Sequence, residues 1–231
     1  MDKIKIVSIS KDNHFDLTKI DGIEYIEYSN NTEKITKLYN KEIEKSKDYD
    51  FLIFMHADVD IDLHSLIQHI KDCKDKYDIM GLCGCQKIKT SQSPLNWFTG
   101  SMLNPECRFG CVTHGEDNNK KSFFNYKKPN VKDVSVACID GLCIIFTKTA
   151  INSGIKFDEI FSFDFYDTDI SFSAILKYNL RLGVLIEESL KHYSVGKSIL
   201  SKDFLMHEID FRKKWNLDIP ENSPINQIIN Q

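Results

Sequence analysis

The sequence predicts an α/β protein built on a mostly parallel sheet flanked by helices. Two observations carry this. Short β-rich runs alternate with stretches of helical periodicity along the first third of the chain. One of those runs, Phe51-Leu-Ile-Phe-Met55, is apolar throughout, as expected of a strand covered on both faces.

The elements follow in order. Ile4 to Ser10 is a β-rich run, and Ile23 to Tyr28 is a second one after a turn at Asp21-Gly22. Thr32 to Lys47 reads as an amphipathic helix, with Ile35, Leu38, Tyr39 and Ile43 near helical spacing. After the apolar strand, Leu63 to Tyr77 is helical and Ile79 to Cys83 is a strand. From Lys87 to Pro129, Pro, Gly, Asn and aromatic residues mix without a clear period. This stretch is expected to form long loops and short helices that wall a site. Val134 to Phe146 is strand-like and broken by Asp140-Gly141, Asp167 to Tyr178 opens a helix, and Leu182 to Ile186 is a strand. Ser201 to Trp215 is a C-terminal amphipathic helix expected to pack on the core through Phe204, Leu205, Phe211 and Trp215. A polar tail follows from Pro220, and no linker divides the chain.

Composition removes several function classes. A chain of 231 residues can bury a core without staples. Its 11% aromatic content excludes global disorder. No apolar run approaches the roughly 20 residues of a spanning helix. A net charge of −4 argues against a general nucleic-acid binder. Only three of the thirty basic residues are arginine: Arg108, Arg181 and Arg212. A bound phosphate would then need a metal ion or backbone N–H groups to neutralise it. The start, Met1-Asp-Lys-Ile-Lys-Ile-Val7, lacks the apolar core of a signal peptide, and seven cysteines is an odd count. Both fit a cytoplasmic protein with reduced, buried thiols.

Three local patterns carry chemistry. The apolar strand runs into His56-Ala-Asp58-Val-Asp60-Ile-Asp62. In extended chain, positions i and i+2 share a side, so Asp58 and Asp60, with His56, are expected beyond the strand's carboxyl end. Open α/β sheets bind ligands there, and paired carboxylates suit a hard divalent cation. A solvated turn with Asp58 or Asp62 capping the next helix is the competing reading. The second pattern is a run of aromatics leading into Tyr166-Asp167-Thr-Asp169 at a helix start. One acid is explained by capping, and a carboxylate beside the aromatics could act as a general base. The helix N-terminus is expected to keep it ionised but weak. The third pattern is Lys191-His192-Tyr-Ser194-Val-Gly196 after a strand.

Taken with Ile139-Asp140-Gly141, these motifs resemble, in order and spacing, family 2 glycosyltransferases of the GT-A fold over roughly residues 1 to 200. The likeness is strongest to the small glycosyltransferase-like subgroup, in which histidine replaces the first acid of the usual Asp-x-Asp motif. The resemblance implies a Rossmann-like, mostly parallel sheet in one domain. Residues 1–86 would be the nucleotide-binding half, 87–200 the acceptor side, and 201–231 a C-terminal helix and tail. It implies an enzyme moving a sugar, with inversion, from a nucleotide-diphosphate donor to a hydroxyl, in surface glycan or glycoprotein synthesis. The donor would be a UDP-sugar and the acceptor a glycan, a lipid-linked molecule or a protein. A homodimer and placement at the inner membrane face are compatible with this. Asp58, Asp60 and His192 become metal candidates, for Mn²⁺ or Mg²⁺. Asp167 takes the place of the general base, with Asp169 as the second candidate. Ser8, Ser29, Asn30, Asn40 and His56 become donor-side candidates. Trp97, Asp140 and Gly141 become acceptor-pocket candidates. Where the family often has a base-reading acid, this chain has Tyr28-Ser29-Asn30-Asn31.

Other classes remain open at this level. Cys83, Cys85, Cys107, Cys111 and His114 could build a structural zinc site, though the spacing matches no standard finger. A glycosyltransferase-like binding module without catalysis is compatible with His56 in place of an acid. A nucleotidyltransferase would also use a metal on such a sheet, but the chain lacks the Gly-rich basic phosphate loop.

Overall fold

The computed structural model describes residues 2–11, 18–95, 107–115, 121–122, 131–193 and 201–229. The first elements are β1 (Ile4–Ile9), β2 (Glu24–Tyr28), α1 (Ile35–Lys45), β3 (Phe51–His56), β4 (Val59–Asp60), α2 (Leu63–Cys73) and β5 (Ile79–Gly81). Next come β6 (Cys83–Cys85), β7 (Arg108–Gly110), β8 (Val112–His114), β9 (Lys121–Ser122), β10 (Asp133–Ser135), β11 (Cys138–Ile139) and β12 (Cys143–Thr147). The chain continues through α3 (Lys148–Asn152), α4 (Tyr166–Leu176), β13 (Leu182–Leu185), β14 (Lys191–His192), α5 (Lys202–Lys214) and α6 (Asn226–Ile229).

The main sheet has seven strands in the order β10-β13-β5-β12-β3-β1-β2. Strands β1, β2 and β3 run parallel, as do β5 and β13. This is the mostly parallel sheet the sequence predicts. Two strands depart from it. β12 lies antiparallel between β3 and β5, and β10 is antiparallel at the edge. The predicted strand Val134 to Phe146 is therefore three elements, and its last part enters the centre of the sheet from the carboxyl edge. That register pairs Cys143 with Met55. It places residues 140–142 beside the end of β3.

The predicted strand Ile79 to Cys83 also divides. β5 stays in the main sheet, and β6 joins a three-stranded sheet with β11 and β7. Gly84 permits this, because a side chain there would run into the Cys138 carbonyl of β11. In the described part of residues 87–129 the regular elements are short strands, not the expected short helices. Strands of two or three residues are too short to show a period, and they draw their hydrogen bonds from distant partners. β8 and β9 form a second small sheet with β4 and β14.

β3 is buried on both faces, as its composition demands. Leu52 and Phe54 pack into one cluster with Val7, Tyr39 and Phe146. Phe51, Ile53 and Met55 pack into another with Leu66 and Ile70 of α2. α5 covers the first cluster through Phe204, Leu205 and Phe211, as expected. Phe211 meets Phe172 of α4 edge-on at 5.2 Å between centroids. Asp62 caps α2 by accepting from the backbone N–H groups of His64 and Ser65. All seven cysteines are buried and unpaired by disulfides. Among the described residues no helix is long and apolar enough to cross a membrane.

Candidate active site

The carboxyl ends of β1, β2 and β3 share one edge of the sheet, and the site is built there. β3 ends at His56, whose backbone N–H donates to the Leu142 carbonyl at 2.9 Å. The chain turns at Ala57-Asp58 and re-enters extended form in β4. β4 pairs antiparallel with β14, setting Val59 opposite His192. A further bond from the Tyr193 N–H to the Asp58 carbonyl extends this pairing. The result is that His192 Nε2 lies 3.3 Å from Asp58 Oδ1. The His56 ring lies 5.6 Å from the His192 ring. One ligand atom from each of His56, Asp58 and His192 falls within 4.8 Å of the others.

Asp60 is not part of that group. The turn at Ala57-Asp58 breaks the simple alternation expected of extended chain, so Asp60 sits across the ladder from Lys191. Its carboxylate is exposed and lies 4.0 Å from the Lys191 ammonium.

Tyr166 holds His56 in place. The Tyr166 hydroxyl donates to the Gly141 carbonyl at 2.9 Å. It also lies 3.1 Å from His56 Nε2. Tyrosine has one hydroxyl proton, so His56 Nε2–H donates to the phenol oxygen and Nδ1 keeps the lone pair, an assignment made from the bond network. Burial, with the nearby His192, pushes the His56 imidazole down to about 4. It is therefore neutral, as a metal ligand must be. Phe163 stacks on the same ring at 5.9 Å. Gly141 is required here, because a Cβ would overlap the Tyr166 hydroxyl. His114 of β8 meets the other side of His192 at 5.4 Å between ring centroids.

Asp167 stands in the first turn of α4. Its carboxylate accepts from the Gly141 N–H at 3.2 Å and the Thr168 N–H at 2.6 Å. Burial, and then the Asp140 carboxylate beside it, push the Asp167 carboxyl up to about 7. This reverses the sequence-based expectation of a fully ionised carboxylate that is a weak base. Desolvation outweighs the helix N-terminus. Asp140 Oδ1 accepts from the Leu142 N–H at 2.8 Å, shaping the turn that presents Gly141.

Asp169 points elsewhere. Two residues on a helix are about 200° apart, so the two acids diverge. The Asp169 carboxylate takes bonds from Lys214 at 2.8 Å and from the Trp215 indole N–H at 2.9 Å. It ties α4 to α5.

The donor-side candidates also separate. Ser8 Oγ is buried and donates to the Met55 carbonyl at 2.7 Å, bridging β1 and β3. Asn40 donates to the Phe157 carbonyl at 2.9 Å and accepts from the Phe157 N–H at 2.8 Å. Both bonds fasten α1 to the loop before α4. Ser29 and Asn30 are exposed just past β2, on the same edge as His56, and Asn30 adopts a positive φ of 50°. Trp97, Ser194 and Gly196 lie outside the described residues. Two of the arginines are committed to structure. Arg212 is buried with Glu208, and Arg181 pairs with Asp78. The site residues missed from the sequence are Tyr166, Phe163 and His114. The aromatic run before Asp167 is the signal for the first two, and from the sequence His114 stands only as a zinc candidate.

The donor set at His56, Asp58 and His192 is two imidazoles and a carboxylate. That suits a first-row transition ion, Mn²⁺ included, better than Mg²⁺, which prefers oxygen throughout. The described residues offer metal-type donors in only one other group, His69, Cys73 and Asp133. Cys83, Cys85, Cys107, Cys111 and His114 do not form a group of three or more metal-type donors among the described residues, so the structural-zinc alternative gains no support there.

The chain matches the glycosyltransferase like family over residues 7–202. No curated protein matches it in sequence. Its structure is similar to that of GalNAc-T7 with UDP, GalNAc and Mn²⁺, at TM-score 0.52 and 9% identity, over 92% of this chain and 48% of that one. The chain thus spans about half the length of that neighbour. It is also similar to A197 from STIV, at TM-score 0.46 and 18% identity, over 84% of this chain and 86% of that one. A third neighbour is S. aureus TarS 1-349, at TM-score 0.43 and 11% identity, over 95% of this chain and 67% of that one. With the family match spanning most of its length and the sheet agreeing in fold, the chain belongs to the glycosyltransferase like family.

Proposed function

We propose that the protein transfers a sugar from a nucleotide-diphosphate donor to a hydroxyl acceptor, with inversion, assisted by a divalent cation. The observation that carries this is the convergence of His56, Asp58 and His192 at the carboxyl edge of the sheet, with Asp167 nearby. His56 and His192 would hold the cation through imidazole nitrogen and Asp58 through carboxylate oxygen. When bound, such a cation neutralises the charge that builds on a diphosphate leaving group.

The chain's own residues supply the rest. Asp167, near neutrality at about 7, is matched to taking a proton from an acceptor hydroxyl at physiological pH. The hydroxyl oxygen then attacks the anomeric carbon as the nucleoside diphosphate departs, giving inversion. Gly141 N–H and Thr168 N–H hold the Asp167 carboxylate in one orientation. Tyr166 locks the His56 ring, so the ligand lone pair does not have to be ordered at binding. With Arg181 and Arg212 in structural pairs, the cation is the natural partner of the diphosphate. Ser29 and Asn30, exposed past β2, are the side chains best placed to meet a nucleobase. The UDP and Mn²⁺ of the GalNAc-T7 structure make these the first ligands to try. The reading keeps the enzyme cytoplasmic, at the inner membrane face where the acceptor is lipid-linked.

The test is thermal unfolding with UDP, GDP, CDP and ADP, each with and without Mn²⁺. A ligand at a hundred times its Kd adds ~2.7 kcal/mol of stability. A Mn²⁺-dependent shift with one nucleotide supports the proposal and names the donor class. No shift with any nucleotide would sink it.

A further inference from the structure

A second group of metal-type donors lies at the edge of the sheet opposite β2. His69 and Cys73 stand one turn apart on α2 and so share a face of that helix. Asp133 opens the edge strand β10. A ring nitrogen of His69, the Cys73 sulfur and an Asp133 carboxylate oxygen lie within 4.8 Å of one another. We propose that these three residues bind a thiophilic divalent cation, and that the ion is zinc.

The surroundings of His69 fit a ligand. Glu187 Oε1 lies 2.6 Å from His69 Nδ1. A carboxylate on one ring nitrogen fixes the tautomer and leaves the lone pair on the other, the arrangement by which metal-ligating histidines are usually oriented. His69 Nε2 is sealed from solvent and has no hydrogen-bond partner among the described residues. A buried polar atom in that state is rare and calls for an explanation. A bound cation supplies one.

Cys73 and Asp133 fit too. The Cys73 side chain is 1% exposed. In this buried setting the thiol is inert without a metal. A cation reverses this by binding the thiolate and releasing the proton. Asp133 currently meets Lys76 through Oδ2 at 2.9 Å and Tyr77 through Oδ1 at 2.8 Å. Lys76 is largely exposed and can swing into water, leaving Oδ2 to the cation. A nitrogen, sulfur and oxygen set selects zinc over Mn²⁺ or Mg²⁺, because thiolate is a soft donor. Three protein ligands leave a fourth tetrahedral position for water. The bound ion would join α2, β10 and, through Glu187, the segment that leads to His192. This site shares no residue with the candidate active site and does not depend on its function.

Cobalt gives a test that separates the two sites. Protein stripped of metal by chelation and dialysis is titrated with Co²⁺. Two equivalents, enough to fill both sites, are expected to raise a thiolate-to-cobalt charge-transfer absorption in the near ultraviolet, which excess Zn²⁺ then bleaches. Cys73→Ser should lose that absorption. Asp58→Ala should keep it, since His56, Asp58 and His192 include no sulfur. Glu187→Gln should keep the absorption but weaken zinc binding by about 10- to 100-fold. Circular dichroism checks the fold of each variant, and His69→Gln with Asp133→Asn makes the same comparison if Cys73→Ser does not fold. Absence of the absorption in the wild-type protein, or its survival in Cys73→Ser, overturns the proposal.

Discussion

His192 Nε2 lies 3.3 Å from Asp58 Oδ1, although the two residues are far apart in sequence. The contact depends on the short ladder between β4 and β14, which sets Val59 opposite His192. Asp58 and His192 therefore form a preset pair rather than two loop residues that must find each other. Asp60, two residues on, faces Lys191 instead. The two carboxylates should then behave differently. Asp58→Ala is expected to abolish the Mn²⁺-dependent nucleotide shift, and Asp60→Ala to leave it in place. Thermal unfolding with and without Mn²⁺ checks both, and equal losses in the two variants would show that the cation sits elsewhere.

Asp167 yields a prediction for catalysis. Asp167→Asn keeps the size of the side chain and removes the base. Transfer should fall by about 10²- to 10⁴-fold, the usual contribution of a positioned base. Nucleotide binding should survive, because Asp167 is not in the His56, Asp58 and His192 group. A radiolabelled or coupled transfer assay measures the first and thermal shift the second. Unchanged transfer would remove Asp167 from the reaction.

The same residue predicts a pH profile. Burial and Asp140 raise the Asp167 carboxyl in the folded protein to about 7. A base works only when deprotonated, so the transfer rate should rise with pH and level off above about 7. Stability should move the other way. An unfolded aspartate titrates near 3.9. The folded state therefore holds its proton over a window in which the unfolded state has lost it. The contribution of Asp167 to stability is present in full below the unfolded value. It declines as pH rises to about 7 and is lost above it. Asp167→Asn has no such proton. Its stability relative to wild type should rise between about pH 4 and pH 7, as read by denaturant unfolding at each pH. A difference that does not change with pH would mean the carboxyl is not raised.

What the sequence disclosed follows from the range of the forces involved. β3 was legible because burial on both faces leaves an unbroken apolar run, Phe51 to Met55. The helices α1, α2 and α5 were legible because each buries one stripe. The direction of β12 was not, since a strand carries no local mark of which way its neighbours run. The site was legible as a set of motifs but not as a geometry. Two turn residues, Ala57 and Asp58, decide that Asp58 meets His192 and Asp60 does not. The divergence of Asp167 from Asp169 follows from helical geometry, yet the partners that claim Asp169 lie on α5.

Asp169 accordingly predicts a structural defect. Its buried carboxylate holds Lys214 of α5, and Trp215 just beyond it, against α4. Asp169→Ala removes the acceptor for both. Lys214 keeps Asp158 at 2.7 Å, so the loss should stay below that of an isolated buried charge. A cost of about 1–3 kcal/mol is expected in chemical unfolding. The Mn²⁺-dependent nucleotide shift should be retained. Loss of transfer with stability unchanged would instead make Asp169 part of the reaction.

The contact between Gly141 and Tyr166 gives the sharpest prediction about how the site is held. Tyr166 donates to the Gly141 carbonyl at 2.9 Å and receives His56 Nε2–H at 3.1 Å. A methyl group on Gly141 would occupy the space of the Tyr166 hydroxyl. Gly141→Ala must therefore displace the ring or the turn, and either movement frees His56. Tyr166→Phe keeps the ring in place and removes only the oxygen. Its stability cost should be about 1–3 kcal/mol, because the Gly141 carbonyl and the His56 Nε2–H both lose their buried partner. Both variants should weaken Mn²⁺-dependent nucleotide binding, Gly141→Ala more than Tyr166→Phe, because only the first moves the turn whose Leu142 carbonyl receives the His56 N–H. Only Gly141→Ala should also disturb transfer through Asp167, whose carboxylate rests on the Gly141 N–H. Calorimetric titration with Mn²⁺ and a nucleotide, alongside the transfer assay, resolves the two effects. Equal behaviour of the two variants in both measurements would show that the tyrosine oxygen alone, and not the turn it touches, sets the position of His56.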